Sequence, residues 1–235
     1  MTNAVSSAMV LAAGLGRRLG DIGRRTPKPL VRVAGKALLD HVLDELGAAG
    51  VGTAVVNIHH LAPQMRDHLK TRPPTPKIAI SDETDLLMDT GGGVAQALPL
   101  IEGDPFLVAA SDCIRRGDAV KSLVDAWEHA RMDIVMLLHP RETAVGFDGA
   151  GDFFLGADGR PVRRGDAAQA PFVYAGLFLC HRRIYANTPA EPFSNNLVWD
   201  RAIETGRLFA VVNEGGWFHV GTPAAISLAD EAIED

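Results

Sequence analysis

The sequence predicts an α/β fold: a three-layer sandwich with a mostly parallel central sheet, and a small mixed sub-domain from the second half. Three observations predict it. Short apolar runs alternate with amphipathic helical patterns through residues 1–140, the rhythm of strand–helix–strand units with helices on both sheet faces. The 235 residues are 47% hydrophobic and 22% charged, enough for one ordinary globular core. No repeat, low-complexity tract or linker divides the chain, so 1–235 reads as a single domain in two halves, 1–140 and 141–235.

In chain order, residues 8–13 form a buried strand and residues 37–49 an amphipathic helix, with Leu38, Leu39, Val42, Leu43 and Leu46 on one stripe and Gly50 as its stop. Valine-rich residues 53–58 make a strand, and 63–69 a helix. The breaker run 72–76 precedes a short strand at 77–81. A helix spans 92–100, a buried strand 106–110, a helix 118–130 and a strand 133–139. The second half reads as antiparallel strands at 152–155, 159–164 and 172–180. A helix follows at 195–205, with strands at 208–212 and 217–220. Pro223 then opens a final helix over 224–233.

Composition narrows the function. The net charge of −6 argues against nucleic acid or an acidic membrane surface as partner. Two distant cysteines, Cys113 and Cys180, show no zinc spacing and fit a reducing compartment. The polar start, residues 1–7, lacks a secretory pattern, and no apolar run approaches the ~20 residues of a membrane span. A cytoplasmic protein is therefore expected.

The chemistry concentrates in Val10-Leu11-Ala12-Ala13-Gly14-Leu15-Gly16-Arg17-Arg18-Leu19 and Thr26-Pro27-Lys28-Pro29-Leu30. An apolar strand enters a glycine turn, and arginines follow at once. Gly14 and Gly16 let the backbone approach phosphate oxygens, and Arg18 and Lys28 bring positive charge. The prolines on either side restrict the backbone at Lys28. The plain alternatives are a solvated basic loop and a surface lysine on a rigid turn. A dinucleotide fingerprint would need a small residue where Leu19 stands, and there is no P-loop lysine–serine/threonine pair. Asp112 follows the strand at 106–110, so it and the glycine turn both sit at strand carboxyl ends, where open α/β sheets hold ligands. Asp112 reads as a cation ligand or a helix cap. Three glycines after Thr90 permit close backbone approach at a second edge, or simply make a loose loop.

These runs resemble the signature of sugar-1-phosphate nucleotidyltransferases. Val33-Ala34-Gly35-Lys36-Ala37-Leu38, Asp89-Thr90-Gly91-Gly92-Gly93, Gly151-Asp152-Phe153 and Val220-Gly221-Thr222 also have counterparts there, so the resemblance covers nearly the whole chain. It implies a Rossmann-like fold and transfer of a nucleotidyl group from an NTP to a sugar 1-phosphate, with pyrophosphate released. UTP with N-acetylmuramate 1-phosphate (peptidoglycan recycling) is the first pair it suggests, and GTP with mannose 1-phosphate the second. By the same resemblance residues 1–140 bind nucleotide and 141–235 bind sugar. Leu11, Ala12, Ala13, Gly14, Gly16 and Arg17 hold the nucleotide, and Arg18 and Lys28 meet its phosphates. Thr90, Gly91 and Gly92 lie beside the base, and Asp112 ligates Mg²⁺. Asp152 faces the sugar phosphate, with a simple turn as the plainer alternative; Gly176, read from its place inside the strand 172–180 and not from the resemblance, marks close approach of the sugar or a bulge. Glu83 lies on the same loop as Thr90 with its role open. Asn195 and Asn196 read as helix caps, and His59 and His60 as structural, because adjacent side chains on a strand point apart.

Two departures stand out. His219 occupies the place of the family's second metal aspartate. It can bind a softer metal such as Mn²⁺, contact phosphate, or leave Mg²⁺ to Asp112 and the substrates; the third reading is preferred. It also motivates a rival of another class, a non-catalytic nucleotide-sugar-sensing subunit. Gly20-Asp21-Ile22-Gly23 replaces a proline-leucine-threonine run common in relatives. No hexapeptide-repeat extension follows, so a monomer or simple homodimer is expected.

Overall fold

The computed structural model describes residues 5–234; residues 1–4 of the polar start, and Asp235, lie outside the described residues. Strand β1 (Ser7–Leu11) leads into the short helix α1 (Asp21–Arg25) and a two-stranded ribbon, β2 (Arg32–Val33) with β3 (Lys36–Ala37). Then come α2 (Leu38–Ala48), β4 (Thr53–Ile58), α3 (Ala62–Lys70), β5 (Lys77–Asp82), α4 (Asp89–Ala97) and β6 (Phe106–Ala110). Next follow β7 (Cys113–Arg115), α5 (Ala119–Ala126), β8 (Ile134–Pro140), β9 (Phe153–Leu155), β10 (Pro161–Arg163) and β11 (Phe172–Cys180). The chain closes with α6 (Asn196–Glu204), β12 (Leu208–Val212), β13 (Trp217–His219) and α7 (Pro223–Glu234).

Among the described residues nine strands share one sheet. β1 lies between β4 and β6, parallel to both, and β5 continues the parallel run beyond β4. The second half supplies the mixed part. β11 pairs antiparallel with β6 on one side and with β8 on the other, and β12 extends the sheet parallel to β8. The β9–β10 hairpin joins at Phe172.

Strand alternation explains the three layers. Ala8 and Val10, Val56 and Ile58, and Leu107 and Ala109 face one core, covered by apolar stripes of α2, α3 and α5. Met9, Val55 and Phe106 face the other, closed by Val94 of α4 and by Val198 and Trp199 of α6. Both faces are buried at the centre of the sheet, so β1 and β6 are nearly continuous apolar runs. A third cluster joins Leu19, Leu38, Ile114, Phe218 and Ala229, seating α7 over the β7–β13 ribbon.

Local differences from expectation have physical causes. Helix α4 begins at Asp89 rather than 92, and its last expected turn is the 3-10 turn Leu98–Leu100, where Pro99 supplies no N–H. Helix α5 stops at Ala126, not 130, because Trp127 takes an extended conformation and turns into the core. Asn195 is no side-chain cap: its Oδ1 accepts the Tyr185 hydroxyl at 2.8 Å, and the Asn196 N–H is met by Ser194 Oγ instead. Among the described residues no helix is long and apolar enough to cross a membrane.

Candidate active site

A cavity of about 630 Å³ opens at the carboxyl ends of β1 and β6. Leu11, Ala13, Gly14, Gly16, Arg17 and Arg18 line one side of it, with Lys28, Asp112 and Gly221 at one end and Asn57, Asp89 and Thr90 at the other. The glycine turn is built for this. Gly16 takes the left-handed conformation (φ 62°), which starts the 3-10 turn Arg17–Leu19. Gly14 has nothing within 4 Å of where a Cβ would stand, so its backbone faces open space. The Gly20–Gly23 departure also finds its reason. A Cβ on Gly23 would lie 2.4 Å from the Gly16 carbonyl oxygen, so α1 packs directly on the turn only because residue 23 is glycine.

The charged end is compact. Lys28 sits in the 3-10 turn Lys28–Leu30, its side chain 12% exposed, and its Nζ donates to Asp112 Oδ2 at 2.9 Å. His219 Nε2 approaches the same oxygen at 3.9 Å, while Nδ1–H donates weakly to the Gly146 carbonyl at 3.4 Å. Arg18 Nη1 and His219 Cε1 both crowd the place where Gly221 lacks a Cβ, at 3.3 and 2.7 Å. Desolvation in the crevice pushes the Asp112 carboxyl up, but Lys28, His219 and Arg18 outweigh it and hold it below its ordinary value. Burial, aided by Lys28 and Arg18, holds the His219 ring below its ordinary value against the pull of Asp112. In the neutral ring one nitrogen carries no proton and can serve as an acceptor or ligand.

Three residues beyond Asp112 lies a second ion pair. Arg115 is fully enclosed, and Glu45 of α2 takes its Nε and Nη2 in a fork at 3.1 and 2.7 Å. Its Nη1 donates to the Ala175 and Gly176 carbonyls at 3.3 and 3.2 Å. Burial opposes the guanidinium charge, but Glu45 outweighs it and the pKa rises. Cys113 lies between the pairs, its thiol pushed up to about 11 by burial despite Arg115.

The remaining residues singled out from the sequence lie apart from the cavity surface. Ala12 is buried, and its N–H is bound to Asn57 Oδ1. Gly91 and Gly92 belong to α4, not to an open loop, and both N–H groups donate to the Phe193 carbonyl. A Cβ on Gly91 would stand 2.4 Å from the Phe193 ring, so close approach there is by the protein's own chain. Asp152 Oδ2 accepts the Tyr174 N–H at 2.9 Å. Gly176 is the bulge of β11 (φ 75°), pressed against Cys113 and Arg115. His59 and His60 donate to different segments, the Glu83 and Gly23 carbonyls, at 2.7 and 2.8 Å. Asn57 escaped the sequence reading. Its one signal is a polar side chain inside the apolar strand β4, buried to 2% exposure.

Comparison with known proteins gives the arrangement its kin. Residues 8–202 match the MobA-like NTP transferase domain. The chain is 46% identical over 239 residues, 99% of this chain and 98% of the relative, to an N-acetylmuramate alpha-1-phosphate uridylyltransferase of Caulobacter vibrioides. It is 27% identical to a probable mannose-1-phosphate guanylyltransferase of Oryza sativa subsp. japonica, over 92% of this chain and 61% of that protein. In fold it matches the inositol-1-phosphate CTP transferase of T. maritima, with a TM-score of 0.81 at 19% identity, covering 100% and 98% of the two chains. The chain belongs to the MobA-like NTP transferase family and is a nucleotidyltransferase of the kind that makes NDP-sugars from an NTP and a sugar 1-phosphate.

Proposed function

We propose that this chain transfers the uridylyl group of UTP to N-acetylmuramate 1-phosphate. A phosphate oxygen of the sugar 1-phosphate attacks the α-phosphorus of UTP in line. The bond to the β-phosphate bridge oxygen breaks, and pyrophosphate leaves with its electron pair. The observation that carries the reading is the whole-length likeness to the Caulobacter uridylyltransferase. The cavity supports it: a glycine turn open to phosphate lies beside a lysine–aspartate pair at two strand ends.

No nucleophilic side chain is needed, because phosphoryl-type transfer rests on positioning and charge neutralisation. Gly14 and Gly16 bring the main chain against the triphosphate, and Arg17 and Arg18 face its outer phosphates. Lys28, restricted by its prolines, exchanges Asp112 for an oxygen at the α-phosphorus as charge develops. Among the described residues no three histidine, cysteine or carboxylate side chains cluster to hold a metal. The donor set of one carboxylate and one facing imidazole suits a cation that arrives with the nucleotide and keeps phosphate and water ligands. Asp112 would hold Mg²⁺ there, and the His219 nitrogen makes Mn²⁺ the alternative. Such an ion would add Lewis-acid charge at the α-phosphate. Residues 1–140 carry the nucleotide contacts and 141–235 the sugar contacts, with Asp152 taking a sugar hydroxyl and Gly176 shaping that wall. The working state is a monomer or simple homodimer in the cytoplasm.

The test is a matrix of four NTPs against a panel of sugar 1-phosphates, with Mg²⁺ and Mn²⁺, read by pyrophosphate release. UTP with N-acetylmuramate 1-phosphate is expected to give the highest kcat/KM. Preferred turnover of GTP with mannose 1-phosphate would replace this substrate pair.

A further inference from the structure

Hydrogen bonds run unbroken along the inner wall of the cavity. Ser111, next to Asp112, sends its N–H and its hydroxyl to the Leu11 carbonyl at 3.2 and 2.7 Å. The following residue, Ala12, donates its N–H to Asn57 Oδ1 at 2.6 Å. Asn57 Nδ2 donates to Glu83 Oε1 at 2.7 Å, and Glu83 Oε2 accepts the Met88 N–H at 3.0 Å. Met88 leads straight into Asp89 and Thr90 on the far rim of the cavity. Asn57 and Glu83 are each 2% exposed.

A carboxylate this enclosed is costly unless each oxygen is met, and here each takes one donor. The donors come from different walls: the Asn57 amide on β4 and the main chain at the entrance to α4. Helix α4 makes room for the arrangement. A Cβ on Gly93 would stand 2.7 Å from Glu83 Oε1 and 2.9 Å from Asn57 Nδ2. Filling this space with apolar side chains would leave the Ala12 and Met88 N–H groups buried and unpaired.

We propose that Glu83 is a positioning residue: through Asn57 and Met88 it ties the glycine turn to the opposite rim and so sets how the cavity grips the nucleoside triphosphate. The inference rests on reading this cavity as the UTP site. The relay holds the Ala12 peptide, and that peptide aims the backbone of residues 13–16 at the phosphates. It also holds the start of α4, where Asp89 and Thr90 face the cavity.

The chemistry of the relay offers a specific test. In Glu83→Gln the amide turns its NH₂ toward either Asn57 Nδ2 or the Met88 N–H, so one donor loses its acceptor. In Asn57→Asp two carboxylates face each other. In the double variant the new amide donates to the new carboxylate, and its oxygen accepts the Met88 N–H. All three bonds return, with the middle one reversed in direction. The dissociation constant of UTP, by calorimetric titration with Mg²⁺, and steady-state pyrophosphate release would be measured for the full chain and its variants. Each single variant is expected to raise Kd and KM for UTP about tenfold, with kcat changed less than about threefold. The double variant is expected to return within about threefold of the parent. Single variants with parental Kd and KM, or a double variant no better than the worse single, would overturn the relay. Should a single variant not fold, a folded double variant with parental affinity supports the relay, and an unfolded one overturns it. Affinity is read without turnover. A parent chain that binds UTP yet releases no pyrophosphate therefore counts against the reaction alone, and the same affinities still judge the relay.

Discussion

Asp112 and Arg115 stand three residues apart on one stretch of chain, and each anchors an ion pair of opposite character. Asp112 meets Lys28 through one oxygen, with its side chain 37% exposed at the mouth of the cavity. Arg115 is wholly enclosed, forked onto Glu45 and backed by two carbonyls. The open pair is one contact that a phosphate oxygen or cation can displace at small cost. The closed pair is saturated, and nothing can enter it without leaving a charge stranded. Ion pairing alone therefore does not mark a reactive group; a partner that can be exchanged does.

The largest effect is expected at the closed pair. Glu45→Ala strands the Arg115 charge and should cost about 3–5 kcal/mol of stability in denaturant titration, while the folded fraction keeps near-parental kcat. A variant of parental stability with collapsed kcat would reverse the assignment of the two pairs. The open pair should show the opposite pattern. Lys28→Ala is expected to lower kcat by about 10²-fold while costing at most about 1 kcal/mol of stability, well below the loss at Glu45. Near-normal turnover would remove Lys28 from the chemistry. The smallest effect concerns Cys113. Its folded pKa of about 11 lies above the ordinary 9.0, so the folded state keeps a proton that the unfolded chain gives up. Its contribution is full below pH 9.0 and declines as pH rises toward 11, by on the order of 1 kcal/mol at pH 10. Unfolding curves of the parent and Cys113→Ala at pH 8 and pH 10 would show whether the loss disappears with the thiol.

The same contrast explains what could be read from the sequence. The parallel strands were legible because residues 53–58 and 106–110, buried on both faces, are dominated by apolar residues. The charged end was legible because glycines, arginines and a proline-flanked lysine carry their chemistry locally. Asn57 and Glu83 were not, because their partners lie 45, 26 and 5 residues away and only folding brings all of them together. The tight packing at Gly91 was hidden for the same reason: the group that a side chain there would strike is the Phe193 ring, far along the chain. The pairing of β11 between β6 and β8 was equally hidden, since no local pattern records which strand lies beside which.

That pairing has a consequence for the chain as it is made. β6, with Phe106, Leu107 and Val108 fully buried in the finished fold, can dock on β1 as soon as it emerges. Its other edge is covered only by β11, which ends at Cys180. At synthesis rates of about 5–20 residues per second, the ribosome holds that apolar edge open for on the order of 4–14 s. β8 is translated into the same gap and waits for the same partner. The centre of the sheet is thus sealed only once β11 has been made, with β12 closing the outer edge of β8 later still, and the interval in which a chaperone must shield it is written into the strand order.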